Sequence, residues 1–329
     1  MLEVLTPNHP NQDLGDEKDL HQKLAAFNRR RLGPGLPNGN WQNDIADDAR
    51  FLLIEGEFLE REREAIRDRA AAAPTDAGGF GAWLNDLTES GPGQGDPLFP
   101  WLAEVCSMDE MKWFIVQEVA GEAGFEDLTA LTQVKMPIGP KLELARNYWD
   151  EMGRGNHKGM HGPLLENLAA CLGLAPTIDG TVWESLALAN MMAGLAWNRR
   201  YAYHSVGALG IIEQTAPARA AAVGRGLKRL GVPSKDRHYF DLHAILDVKH
   251  SIAWNAEAIQ PLVKADPAAA RAIAEGALMR LSCGARCFER YRRELGWGAG
   301  PNAAHTVPRL PHVVGRCKAK TCRKVRFGA

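Results

Sequence analysis

Apolar residues recur every three to four positions through most of the chain, the spacing that gives a helix one continuous apolar face. Residues 17–31 set Leu20, Leu24 and Phe27 on one side, and residues 43–73 turn Phe51, Leu52, Ile54, Phe58 and Leu59 inward. The run EREREAIRDRAAA within the second of these predicts a solvated face. A short helix is expected over 78–88, around Trp83 and Leu87. From Leu98 onward the same period marks 108–133, 139–173, 181–213, 215–230, 236–259 and 266–296, with Pro or Gly between most of them. LGPGLPNGN and SGPGQGDP predict loops, and residues 1–16 read as polar, turn-rich chain. Strand-like alternation flanked by hairpin turns is nearly absent. The pattern predicts an all-α bundle with short connections, divided into an N-terminal helical extension (1–95), a main helical domain (96–298) and a basic tail (299–329).

Composition narrows the partners. Hydrophobic residues make up 45% and charged residues 24% of the 329, enough for a sizeable core. A formal net charge of -1 argues against a general nucleic-acid binder. No apolar run reaches the ~18 residues of a membrane span, and the N-terminus lacks the basic-then-apolar pattern of a signal peptide. The expectation is a cytoplasmic protein with neither nucleic acid nor membrane as partner. The six cysteines are expected to be reduced thiols. Cys283 and Cys287 lie one helical turn apart on a packing face. Cys317 and Cys322, near His312 in the tail, give only a weak zinc signal, because a second pair is missing.

The chemistry concentrates in four helical segments. His243, Asp247 and His250 stand at i, i+4 and i+7, within about 60° of one another on a helix. Two imidazoles and a carboxylate on one stripe form half of a metal site; the plain alternative is a solvated face, against which Leu242, Ile245, Leu246 and Ile252 argue. In 108–133 the glutamates Glu118 and Glu122 share a side with Met111, Ile115 and Phe125, so a cation or hydrogen bonds must compensate them if buried. Glu118 is the first choice as ligand and Glu122 the second. Glu151 and His161 are ten residues apart, about three helical turns, with Gly153 and Gly155 between them; Asp150 is expected to support its neighbours by hydrogen bonding. Glu213 is expected at the end of an apolar helix, before a break at Thr215-Ala-Pro217. Arg199, Arg200 and Tyr203 are the substrate-binding candidates, an arginine holding a substrate carboxylate. Three imidazoles and three or four carboxylates suit two divalent ions of the iron or manganese type with open positions for dioxygen. The ferritin-like Glu-x-x-His repeat is absent, since Lys158 stands three residues before His161.

This set resembles the haem-oxygenase-like diiron oxidases. The likeness rests on His-x3-Asp-x2-His (His243, Asp247, His250), on Glu213 about thirty residues earlier, on Asn147, Asp150, Glu151, Gly153 and Gly155 followed by His161, and on Gln117-Glu118 in the preceding helix. It covers roughly residues 96–260. Where some members carry glutamates before the first histidine, this chain has Arg154 and Lys158. The resemblance implies a bundle of about seven core helices without haem, and two Fe(II) ions, or manganese, that activate O2 with an external reductant. Glu118, Glu151, His161 and His250 would tend one ion; Glu213, His243 and Asp247 the other. It further implies N-oxygenation of an amine, guanidine or amino heterocycle in biosynthesis. Alternatives are oxidative C–C cleavage or desaturation of an amino or fatty acid and, from another class, a cofactor-independent thiaminase-like or quinone-forming enzyme. A third reading is a non-enzymatic metal- or partner-binding protein using the tail. Expected partners are a small-molecule substrate, an electron donor and a second copy in a homodimer.

Overall fold

The computed structural model describes residues 17–122 and 124–296, without the side chains of residues 120–122. Glu122 as a ligand, the zinc reading of His312, Cys317 and Cys322, and the expectations for residues 1–16 and the tail all lie outside these described parts. No β-strand occurs among the described residues; the fold is the all-α bundle that the periodicity predicts. Three helices come first: α1 (Glu17–Leu32), α2 (Trp41–Ala71) and α3 (Ala77–Ser90). The last starts where the Asp76 side chain accepts from the Gly79 amide. They pack on the bundle helices α9, α13 and α12 respectively. Next come α4 (Leu98–Glu104), α5 (Met108–Glu122) and α6 (Phe125–Thr132). The segment 108–133 is therefore two helices, parted at Gly124, whose φ of 67° suits glycine.

Segment 139–173 also divides, into α7 (Ile138–Glu151) and α8 (His161–Cys171). Gly153 and Gly155 take φ of 60° and 82°, and a lone antiparallel bridge joins Met152 to Met160. The loop thus folds back on itself, and Pro163 starts α8 where a missing amide costs nothing. Glu151 and His161 are consequently the last residue of one helix and the first of the next, not neighbours along one rod.

α9 (Trp183–Trp197) is buried on nearly every side, which matches its lack of a polar face. The expected break near residue 214 falls instead at Asn198, whose side chain accepts from the Arg200 amide. Helix α10 (Ala202–Arg229) then runs unbroken through Pro217. Proline removes the amide that would bond the carbonyl four residues back, that of Glu213, yet burial on the flanking turns keeps the helix whole. Glu213 is therefore mid-helix. α11 (His238–Ala253) passes through a π-helical turn, Trp254–Ile259, into α12 (Gln260–Ala265), and α13 (Ala268–Glu294) closes the bundle. α10 and α13 cross at glycine: a Cβ on Gly207 would stand 1.9 Å from the Ile273 carbonyl oxygen, and one on Gly276 1.9 Å from that of His204. No helix among the described residues is long and apolar enough to cross a membrane.

Candidate metal centre

Four helices meet around Glu151. The fold-back loop presents Glu151 and His161 side by side, 2% and 1% exposed. α11 lies along α10 and touches α8, which brings His243 against His161, ring centroids 4.5 Å apart. One further stretch down α11, His250 reaches the α7 and α10 side, with Nε2 3.1 Å from Asp150 Oδ2 and Nδ1 3.5 Å from Glu213 Oε2. The donors form two triads, Glu151–His161–His243 and Glu151–Glu213–His250, each with its ligand atoms within 4.8 Å of one another. Glu151 belongs to both. This sorting differs from the division expected from sequence: His243 joins His161, and His250 joins Glu213, because the fold-back loop puts α8 beside the first half of α11 and α7 beside the second.

Supporting hydrogen bonds aim these groups. Asn147 Nδ2 donates to Glu213 Oε1 at 2.6 Å. His243 Nδ1 lies 2.8 Å from the Tyr239 carbonyl, an acceptor only, so the proton sits on Nδ1 and the Nε2 lone pair is left for a ligand bond. His250 Nε2 lies 3.1 Å from Asp150 Oδ2, so when the ring is neutral a proton held there leaves the Nδ1 lone pair for a ligand.

The electrostatics of the cluster are those of a site built for cations. Burial, then repulsion from Glu213, pushes the Glu151 carboxyl well above its usual range. Burial, then the neighbouring imidazole, drops His161 to about 4 and His243 to about 4. For His250 burial is the largest single influence and favours the neutral ring, but the bonds and charges of Glu213 and Asp150 outweigh it and raise the group to about 9. Glu151 Oε2 and His161 Nδ1 are buried against one another and His250 Nδ1 is buried against Glu213 Oε2, and none of the three has a well-formed hydrogen bond. Orphaned oxygen and imidazole donors in two converging triads fit iron, which takes this mixed set readily.

A family model for haem-oxygenase-like, iron-containing redox enzymes matches residues 112–285, more than half of the chain. The chain belongs to this family. No curated protein matches it. The matched span holds every residue of both triads, so membership in the iron-containing redox family and the donor geometry point to the same place.

The other sequence candidates fall elsewhere in this family member. Asp247 is buried and lines the central cavity beside Glu151, Glu213 and His243, but is in neither triad. Glu118 also lines the cavity, yet it is bonded to the Tyr291 hydroxyl and influenced by Arg280 and Arg219. Burial, against those two cations, raises its carboxyl. Arg199 spends its guanidinium on the carbonyls of Leu131, Thr132 and Val134, closing the end of α6. Arg200 reaches Glu60 on the surface at 3.4 Å, and Tyr203 packs against the core; none of the three lines the cavity. Arg199 and Arg200 sit in the 3-10 turn before α10 and Tyr203 in its first turn, all more than two turns before Glu213.

Glu126 escaped sequence reasoning. Its carboxylate lies against Gly162, so that a Cβ there would stand 2.7 Å from Oε1, and Oε2 is buried without a hydrogen bond. It also acts electrostatically on His161. Its signal was the glycine break at 124, which starts a new helix and resets which residues face inward.

Proposed function

We propose that the chain is a non-haem diiron oxygenase acting on a small nitrogen-containing metabolite. The observation that carries this reading is the pair of triads sharing one carboxylate, Glu151. Glu151, His161 and His243 would hold one ion, and Glu151, Glu213 and His250 the other; Asp247, which lines the same cavity, and Glu126, which acts on Glu151 and His161, are the candidates to complete the set. Iron held there would supply electrons for activating dioxygen, with an external reductant to restore them.

The chain's own residues do the rest. Asn147 fixes the rotamer of Glu213, and the Tyr239 carbonyl and Asp150 fix the tautomers of His243 and His250. The cavity abutting the donors holds about 130 Å³ and is walled largely by apolar side chains, among them Phe125, Leu165, Ile212 and Phe240. Such walls exclude water from a reactive centre and hold the body of a small substrate. N-oxygenation is the reaction we favour. The test is oxygen uptake by the iron-reconstituted protein, with reductant, against a panel of small amines and amino acids. Uptake that rises with a panel member and is lost in His243→Ala and Glu213→Ala supports the reading. Uptake equal in those variants and in the wild type would sink it.

A further inference from the structure

The cavity continues past the metal donors. Along α10 the positions Glu213, Ala216, Arg219, Ala220 and Val223 all line it, and six residues separate Glu213 from Arg219, about 9 Å of axial rise. At that far end Arg219 is joined by Arg280 of α13 and Glu118 of α5. The Arg219 guanidinium rests on the rings of Phe288 and Phe99, 4.9 and 5.7 Å from their centroids, which fixes its plane. Among the described residues, neither Arg219 nor Arg280 makes a hydrogen bond or an ion pair, and Arg280 Nε is buried without a partner. Two carboxylates act on Arg219, Glu118 and Asp96, but the first is engaged by Tyr291 and the second is paired with Arg292, so the two guanidiniums still outnumber the one carboxylate left to them.

A surplus cation held in an apolar cavity is costly unless an anion joins it. The planar fork of arginine matches a carboxylate with two parallel hydrogen bonds. The lining also includes Leu188, Ile212, Ala220 and Val223, and the free space of about 130 Å³ approaches the ~150 Å³ that accepts a benzene ring. We propose that Arg219 and Arg280 bind the carboxylate of the substrate, so that the enzyme takes small acids with a short apolar or aromatic body and presents their far end to the iron donors. This assignment deepens the redox reading above and rests on it for the identity of the other end.

The experiment is calorimetric binding to the full chain, iron-free and iron-reconstituted, with iron content measured on the same samples. The probes are 3-phenylpropanoate, 3-phenylpropan-1-ol and 3-phenylpropylamine, which share a body and differ in the head group. The acid should bind at least about tenfold more tightly than the alcohol and the amine, in iron-free protein as well, since charge-assisted bonds to two guanidiniums are lost in the others. Arg280→Gln and Arg219→Gln should each remove about tenfold of the acid's affinity and leave the alcohol within about twofold. Arg280→Lys, which keeps the charge but not the fork, should fall between and serves if a glutamine variant does not fold. Equal binding of acid and alcohol, no binding of the acid, or acid binding that survives both glutamine variants would overturn the assignment. Acid preference without iron uptake would support the arginine site and defeat the diiron reading. Iron uptake without acid preference would defeat the arginine site alone.

Discussion

Glu151 has a carboxylate oxygen within 4.8 Å of donor atoms of His161 and His243 on one side and of Glu213 and His250 on the other, which makes it the residue that the two triads share. Asn147, which has no place in either triad, bonds Glu213 at 2.6 Å and sets where that carboxylate points. Asn147→Ala should therefore weaken iron binding by about 10- to 100-fold, the usual cost of losing a group that orients a ligand. Competition with a chelator measures this; unchanged affinity would mean that Glu213 is held by other contacts. The imidazoles supply a second prediction. His250 is raised to about 9 from 6.5. In iron-free protein its charged form stabilises the fold fully below about 6.5, and that contribution disappears as the pH climbs to about 9. His161 and His243, lowered to about 4, act in the opposite sense: the unfolded chain takes up protons first, and stability falls as the pH drops from 6.5 toward 4. Urea midpoints of the iron-free protein should decline between pH 6.5 and 9, and the decline should be much smaller in His250→Gln. The same alkaline slope in both proteins would contradict the assigned charge.

At the scale of helices, the site depends on how closely α10 and α13 approach, because α10 carries Glu213 and Arg219, and α13 carries Arg280. That approach is set by backbone against backbone at Gly207 and Gly276. Gly276→Ala puts a methyl group where no side-chain rotation relieves it, so the helices must separate. The expected loss is about 3 kcal/mol, the upper end for overpacking, read from denaturant unfolding; a loss below about 0.5 kcal/mol, typical of a neutral surface change, would show that the crossing is slack. Helices were also the most legible feature of the sequence. Periodicity over 17–31, 43–73 and 266–296 matches α1, α2 and α13 closely, since long amphipathic faces leave a strong signal. The breaks were harder. Pro217 was read as a stop, but a proline costs one hydrogen bond, and a helix buried on the turns either side tolerates that. Gly124, by contrast, parts a segment that reads as continuous, because its left-handed φ follows from tertiary packing and not from neighbouring sequence. α11 shows the same limit: Ile245 and Ile252, counted as evidence against a solvated face, are 71% and 67% exposed, while the polar stripe of His243, Asp247 and His250 faces the bundle.

For the molecule as a whole, donors from α7, α8, α10 and α11 converge although more than ninety residues separate Glu151 from His250. That Glu151, His161, Glu213, His243 and His250 would face inward was legible, because carboxylates and imidazoles in apolar helices need a reason to be there. Their grouping was not, since it depends on the fold-back between Met152 and Met160, which turns a presumed three-turn separation into direct contact. Nor were the cavity arginines: a helix expected to end at Glu213 gives no reason to align Arg219 with it, and Arg280 approaches from sixty residues further on. Arg199 and Arg200, chosen in their place, brace the start of α10 instead.

The shared carboxylate makes the central claim measurable without knowledge of the substrate. Anaerobic titration of the full chain with Fe(II), followed by removal of loose metal and iron quantitation, should give about two irons per chain for the wild type. In Glu151→Gln, where both triads lose their common oxygen ligand, it should give well under one. Binding of a single iron by the wild type, or two irons retained by Glu151→Gln, would contradict a centre organised around that residue.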